Sequence, residues 1–359
     1  MSKNCPSRTD STALVLSLFL FCCAVCFAAQ VPTGAEHAAK AAQLVQARDL
    51  KSAEAEMRQA VELTPKDPLY LARLGLILGM QNKPEEAIAC FENALKLDPD
   101  DVAIRRDLAA SQWQIGQNSA ATENLEIILK AGRTDPQTLL LLAMVYISAK
   151  RYAPALAAAE QASEALPSSY KTYAVKGMAE LRLHRYMDSE KSYQRAAELN
   201  PNAAEVNLGL ALSQWTAGHV QQAFATFEVG LKKFPNDAYH YQEYGRLLLK
   251  SAKPNDLAAQ TRSAALWQNA ILLNSSLPEP HYLLGDLALQ KGNAQEAVQQ
   301  LEQAVKLDPN ESKIHFALYR AYRRRGRSED AARELQAFQK LKAQQETPPP
   351  VPLLTGGSD

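Results

Sequence analysis

Neither sign of charge is in excess in this chain: 39 Lys and Arg stand against 39 Asp and Glu over 359 residues. That balance argues against the strongly basic surface of a nucleic-acid binder and against an acidic disordered chain. Glycine (15) and proline (19) are too scarce for a collagen-like or low-complexity sequence. Cysteine is scarcer still. Four of the five, Cys5, Cys22, Cys23 and Cys26, lie at the very start, and only Cys90 stands in the body of the chain. One thiol cannot build a disulfide framework. On a helical stretch it reads as a small half-buried residue, with intermolecular pairing as the alternative. Catalytic signatures are missing as well: there is no Gly-rich phosphate loop and no nucleophile elbow. The six histidines, His37, His184, His219, His240, His281 and His315, include no pair at metal-ligand spacing. The chain is therefore not expected to be an enzyme, nor to hold a metal or cofactor, nor to bind nucleic acid.

What is present begins with an uncharged run, ALVLSLFLFCCAVCFAA, at residues 13–29, preceded by Lys3 and Arg8. A charged start, a short apolar stretch and small residues at its end form the pattern of a secretory signal. The sequence predicts a signal peptide over 1–28, cut after Ala28, and a lead-in over 29–33. The run falls just short of the roughly 18 apolar residues that span a bilayer, and an uncleaved anchor is the rival reading. A lipoprotein would want Leu three residues before its Cys together with a small residue directly before it, and no Cys here has both. All three readings place the remainder outside the cytoplasm, because the positive residues precede the apolar run.

Apolar residues make up 47% of the chain, enough for a sizeable core. They are organised by a ruler. Pro65, Pro99, Pro167, Pro201 and Pro235 stand 34, 68, 34 and 34 residues apart, and Pro309 follows 74 after Pro235. The residues before them agree: VELTP, LKLDP, SEALP, AELNP and VKLDP. Proline cannot continue a helix, and it pushes the preceding residue out of helical geometry. Between the marks, Leu71, Leu74, Gly75 and Leu78 recur at helical spacing, as do Ala87, Phe91 and Ala94. A short turn, Asn82-Lys83-Pro84, separates the two sets. Small residues recur at the eighth place of the period (Gly75, Ala143, Gly177, Ala211, Gly245, Gly285) and at the twentieth (Ala53, Ala87, Ala121, Ala155, Ala223, Ala297, Ala331). Paired helices approach most closely where side chains are small. Phe91, Tyr193, Phe227 and Trp267 are positioned to fill the adjacent gaps. Fixed self-similarity at this period marks a solenoid of helical pairs.

In these features the chain resembles the tetratricopeptide repeat (TPR) family, here an exported member. The resemblance implies an all-α, right-handed superhelical solenoid of about nine repeats and eighteen helices. The repeats fall at 34–67, 68–101, 102–135, 136–169, 170–203, 204–237, 238–277, 278–311 and 312–345. Repeat one lacks the first-helix markers, with His37 and Ala41 in their places. Repeat three carries Arg133 where Pro is usual. Repeat seven is six residues too long, with the surplus expected as a projecting turn around Lys253-Pro254-Asn255-Asp256. Repeat nine has Tyr319 in place of Gly and no closing Pro. Atypical ends suit terminal repeats, which face water on one side. Residues 346–359, ETPPPVPLLTGGSD, read as a loose Pro- and Gly-rich tail, with a docking ligand as the alternative.

Family resemblance also implies which residues bind. First helices line the concave side of such solenoids, and in this family places two, five, nine, twelve and thirteen face it. Carried onto this chain, those places give a groove containing Arg106, Trp113, Met144, Met178, Leu212, Trp215, Gln242 and Arg246. Leu140, Ile147, Leu181 and Leu208 keep its middle apolar; Tyr239, Lys250, Tyr282, Asp286, Phe316, Arg320 and Arg323 make its later part polar and cationic. Place twelve has a second reading, as packing against the next repeat. The carboxylate clamp of chaperone-binding members is absent, since Ala38, Ala42, Ala72 and Leu76 hold its places. An apolar groove flanked by cations suits an amphipathic helix or extended peptide. The expected function is a non-catalytic scaffold binding a protein or peptide in that groove, periplasmic or secreted. A membrane-anchored assembly or tethering factor of an envelope complex is the alternative, and a substrate-presenting part of an enzyme complex a remote one. His281 and His315 share the fourth place of adjacent repeats and read as packing residues. The basic strip Arg320, Arg323, Arg324, Arg325 and Arg327 reads as a solvated face or as a site for an acidic partner or membrane surface.

Overall fold

The computed structural model of the chain describes residues 32–346, and all regular structure among them is helical. The expected signal peptide and the tail beyond Glu346 lie outside the described residues. Eighteen α-helices follow one another: α1 (Gly34–Gln46), α2 (Leu50–Leu63), α3 (Pro68–Met80), α4 (Pro84–Leu97), α5 (Val102–Gln114), α6 (Asn118–Lys130), α7 (Pro136–Ser148), α8 (Tyr152–Ala165), α9 (Tyr170–Arg182), α10 (Tyr186–Leu199), α11 (Ala204–Thr216), α12 (Val220–Lys233), α13 (Ala238–Ser251), α14 (Leu257–Leu273), α15 (Pro278–Gln290), α16 (Ala294–Leu307), α17 (Ser312–Arg324) and α18 (Ser328–Glu346). They form two compact units that divide between Thr134 and Asp135.

Local chemistry sets the boundaries. Two residues after each of Pro65, Pro99 and Pro235 stands an Asp, and the side chains of Asp67, Asp101 and Asp237 accept backbone N–H groups of the helices they open. The proline ends one helix and the carboxylate caps the next. Thr33 and Glu36 form a reciprocal capping box at α1. Inside eight of the nine pairs, helices are joined by a three-residue turn whose middle residue is left-handed: Arg48, Asn82, Lys150 and His184 at φ 58–61°, and Gly116, Gly218, Gly292 and Gly326 at φ 73–89°. Repeat three, which lacks its proline, is stopped instead by Gly132 at φ 68°, a left-handed helix terminus.

Repeat seven departs from its sequence expectation. Its six surplus residues do not all project as a turn. The first helix α13 has 14 residues instead of the usual 13, and the second helix α14 has 17 instead of 14, leaving a five-residue turn at 252–256. Asp256 accepts from the Ala259 N–H and so starts α14 early; Leu257-Ala-Ala-Gln are good helix formers that extend it.

The core follows the small-against-large spacing. Phe91, Tyr193, Phe227 and Trp267 are all buried. Tyr193 lies against two glycines: a Cβ on Gly177 would stand 2.8 Å from its ring, and one on Gly209, in the next repeat, 2.1 Å. Any side chain at Gly209 therefore displaces the ring. Within the second unit each first helix also touches the next first helix, α7 with α9, α9 with α11 and onward to α17, whereas no two second helices meet as closely. In the first unit α3 touches α5 in the same way. First helices thus line the inner side of each stack.

A polar rung recurs inside the helix pairs. Asn124 donates to Gln112 at 3.0 Å, Ser192 to Glu180 at 2.7 Å and Thr226 to Gln214 at 2.7 Å. Glu180 alone is ionisable, and burial pushes its carboxyl above the ordinary range, against a smaller opposing effect of the Ser192 hydrogen bond. A raised folded-state pKa means the charged form is penalised at neutral pH and relieved as pH falls through that value. Glu180→Gln, which copies the neighbouring rungs, should therefore stabilise the chain by roughly 1 kcal/mol at pH 7. The gain should vanish near pH 4. Thermal melts at both pH values check this; equal shifts at both would mean the carboxylate carries no penalty.

Candidate functional site

The expected groove residues fall in both units, and each unit is taken by itself. In the first, Arg106 and Trp113 lie on α5, both half-buried. Beside them in the same unit, α3 exposes Leu69 (50%), Leu76 (46%) and Met80 (58%). These occupy places two, nine and thirteen of repeat two, an outward apolar stripe the sequence reading passed over. The signal was present in the place numbering but hidden by α3 being apolar nearly all round.

In the second unit Met144 on α7 packs against the cluster of Ala143, Ala158, Ala159 and Val175. Met178 on α9 is 40% exposed. Leu212 and Trp215 on α11 are half-buried and pack against the cluster of Ala211, Phe227, Tyr244, Leu247 and Leu266, which spans two repeats, so place twelve serves both readings. The Trp215 indole N–H donates to the Ser251 hydroxyl at 2.9 Å. The Lys250 ammonium stands 4.7 Å from its ring centroid, within cation–π range. Further along, Tyr239 and Phe316 are exposed on α13 and α17.

Two residues differ from expectation. Gln242 is buried, and its amide nitrogen donates to Glu243 at 3.0 Å. Trp267 of α14 donates to the Gln242 carbonyl at 3.2 Å, and the buried Gln242 belongs to the interior rather than to the exposed face. Arg246 does point to the first-helix side, but Glu243 already accepts from its Nε at 2.9 Å and from Nη2 at 2.5 Å. Below, Tyr244 stacks flat on Phe227 at 5.1 Å. Burial, with Glu228 accepting the hydroxyl at 2.6 Å, pushes Tyr244 up to about 12.

A cavity of about 350 Å³, unannounced by any motif, lies beneath the 252–256 turn, lined by Arg246, Lys250, Lys253, Gln260, Trp267 and Leu283 among others. Arg246, Leu249 and Lys250 of the first helix α13 form part of its wall. A larger open hollow of about 630 Å³ lies at the α12–α13 turn, walled by Phe234, Pro235 and, from the edge of the expected groove, Tyr239.

The remaining candidates resolve into structure. His37, His281 and His315 share place four, and each Nδ1 meets the residue nineteen further on: Glu56 at 2.6 Å, Gln300 at 2.8 Å and Glu334 at 2.6 Å. These imidazoles tie the two helices of a pair. Among the described residues no group of three His, Cys, Asp or Glu is placed to hold a metal. The basic strip is largely paired off: Arg324 donates to the Leu289 carbonyl, Arg327 meets Asp330 and Glu302, and Arg320 lies 3.6 Å from Asp286. Cys90 is half-buried, and burial pushes its thiol up. No helix among the described residues is long and apolar enough to cross a membrane.

Sequence models of the tetratricopeptide repeat match residues 68–101, 175–238 and 262–346, together just over half of the chain. The peroxisomal targeting signal receptor of Kluyveromyces lactis is 43% identical over 68 residues, 19% of this chain and 12% of the receptor. The BBSome complex member BBS4 of Bos taurus is 22% identical over 229 residues, 64% of this chain and 44% of that protein. The chain thus spans only a small part of the receptor and less than half of BBS4. Among solved structures, the human IFIT1 dimer with m7Gppp-AAAA superposes with a TM-score of 0.50 at 17% identity, covering 81% of this chain and 72% of that one. A tetratricopeptide repeat protein from Parabacteroides merdae gives 0.49 at 19% identity, covering 80% and 98%. The repeat matches, the eighteen paired helices and the small-against-large core agree: this chain belongs to the tetratricopeptide repeat family.

Proposed function

We propose that the chain is a non-catalytic scaffold, working outside the cytoplasm, that holds a protein or peptide along the first-helix side of its second unit. The observation that carries this is the surface the first helices present there. Met178 and Phe316 are each 40% exposed and Tyr239 51%, with the half-buried Trp215 and its Lys250 between them. Adaptable and aromatic side chains beside cations are the groups that dominate protein recognition. Repeats of this family are typically protein-interaction scaffolds, and a relative over 19% of the chain is itself named as a receptor for a targeting signal. Support for export is the charged start and the apolar run at 13–29.

The test is affinity capture with the purified chain, followed by reconstitution with each purified candidate. Met178→Asp, on an exposed side chain, should leave the fold intact and abolish capture of the true partner. A variant that recovers the same partner with the same affinity contradicts the reading. For location, native protein should begin near Ala29; soluble cytoplasmic protein that retains Met1 contradicts it, and membrane-bound protein that retains Met1 favours an anchored tethering factor.

A further inference from the structure

We propose that the cavity beneath the 252–256 turn is an acid-binding subsite, which takes the Asp or Glu side chain of a bound peptide next to an apolar contact at Trp215. This deepens, and rests on, the reading that ligand lies along the first-helix side. The cavity exists because repeat seven is longer. Elsewhere the two helices of a pair close over a three-residue turn; here α13 and α14 run on and are joined by a turn of five residues.

Its chemistry is one-sided. Arg246, Lys250 and Lys253 stand around it, and no Asp or Glu is among the residues that line it. Glu243 engages Arg246 through Nε and Nη2, and Lys250 leans over the Trp215 ring. Lys253 has no side-chain partner among the described residues. Asp286, one turn from the lining Gln290, accepts from that amide and faces Arg320, so it is engaged elsewhere. A carboxylate would meet these cations in a recess rather than in open water, where charge-assisted hydrogen bonds are strong.

An orphaned polar atom points the same way. Four buried side-chain atoms of this repeat are left without a hydrogen-bond partner, His240 Nδ1, Gln242 Oε1, Gln260 Oε1 and Ser263 Oγ, and of these residues Gln260 is the one that lines the cavity. Gln260 is 8% exposed and belongs to the cavity wall. A buried acceptor without a donor is costly, and an N–H beside an acidic side chain supplies that donor. Cations for a carboxylate, an oxygen for the adjoining amide and an aromatic ring beside them describe an acidic residue next to an apolar one.

The probes are fluorescein-labelled hexaglutamate and hexaglutamine, read by fluorescence anisotropy on the full chain at low salt. Hexaglutamate should bind at least tenfold more tightly than hexaglutamine. Lys253→Gln, on the exposed turn, and Gln260→Leu, which changes no charge, should each weaken hexaglutamate at least threefold with unchanged circular dichroism. Arg325→Gln, an exposed arginine on the α17–α18 turn, should change it less than twofold. Equal affinity for the two peptides overturns the subsite, as does equal loss in the Arg325 variant or no loss in the Lys253 and Gln260 variants. Capture of a partner that needs Met178 but is indifferent to Lys253 and Gln260 also overturns it, while leaving the scaffold reading in place.

Discussion

Phe227→Ala should destabilise the chain by about 3–5 kcal/mol, the usual cost of emptying a fully buried aromatic site. Phe227 is 0% exposed, and its ring lies parallel to that of Tyr244, 5° between planes. It therefore belongs to two repeats at once: its own helix α12 and the first helix of the next pair. Ala211, Leu247 and Leu266 share its buried cluster, so truncation opens a cavity where the two repeats meet. Because stability in a stacked array is a sum of repeat and neighbour terms, the loss should appear as an early separate step in urea unfolding. A loss under about 1 kcal/mol would mean that the shared aromatic contact does not couple the repeats.

Trp215→Ala should do the reverse: a modest loss of stability and a large loss of binding. Its ring is half-buried, and its hydrogen bond goes to an exposed Ser251 hydroxyl that water can replace. Truncation should weaken a partner held on this face by about 2 kcal/mol or more, roughly thirtyfold in Kd. Titration of the captured partner against both variants separates the roles. Trp215→Ala melting as low as Phe227→Ala would make Trp215 a core residue and remove it from the face.

Much of this architecture was legible in the chain because its punctuation is chemical. Pro65, Pro99 and Pro235 end helices, and an Asp two residues later caps the next, so the ruler reports real boundaries. Small residues at places eight and twenty mark where helices meet. Length alone did not say where surplus would go. Six extra residues in repeat seven read as a turn, but Asp256 offers a cap and the residues after it favour helix, so most of the surplus became helix. Arg133 read as a missing stop because the left-handed geometry at Gly132 is not visible in a proline count. Gln242 failed for a different reason. Place five sits at the edge between the exposed and packed faces, and a glutamine suits either. The α3 stripe was missed because a helix apolar on all sides shows no amphipathic contrast, and only the repeat register tells which leucines face out.

A photo-crosslinker tests the placement of the ligand most directly. Para-benzoylphenylalanine replaces Met178 on the first helix α9 in one variant and Leu272, 82% exposed on the second helix α14, in another. The purified partner is then irradiated with each. The account predicts a crosslink from position 178 that excess unlabelled partner suppresses, and none from position 272. A crosslink from 272 with none from 178 would place the ligand on the second-helix side and contradict it.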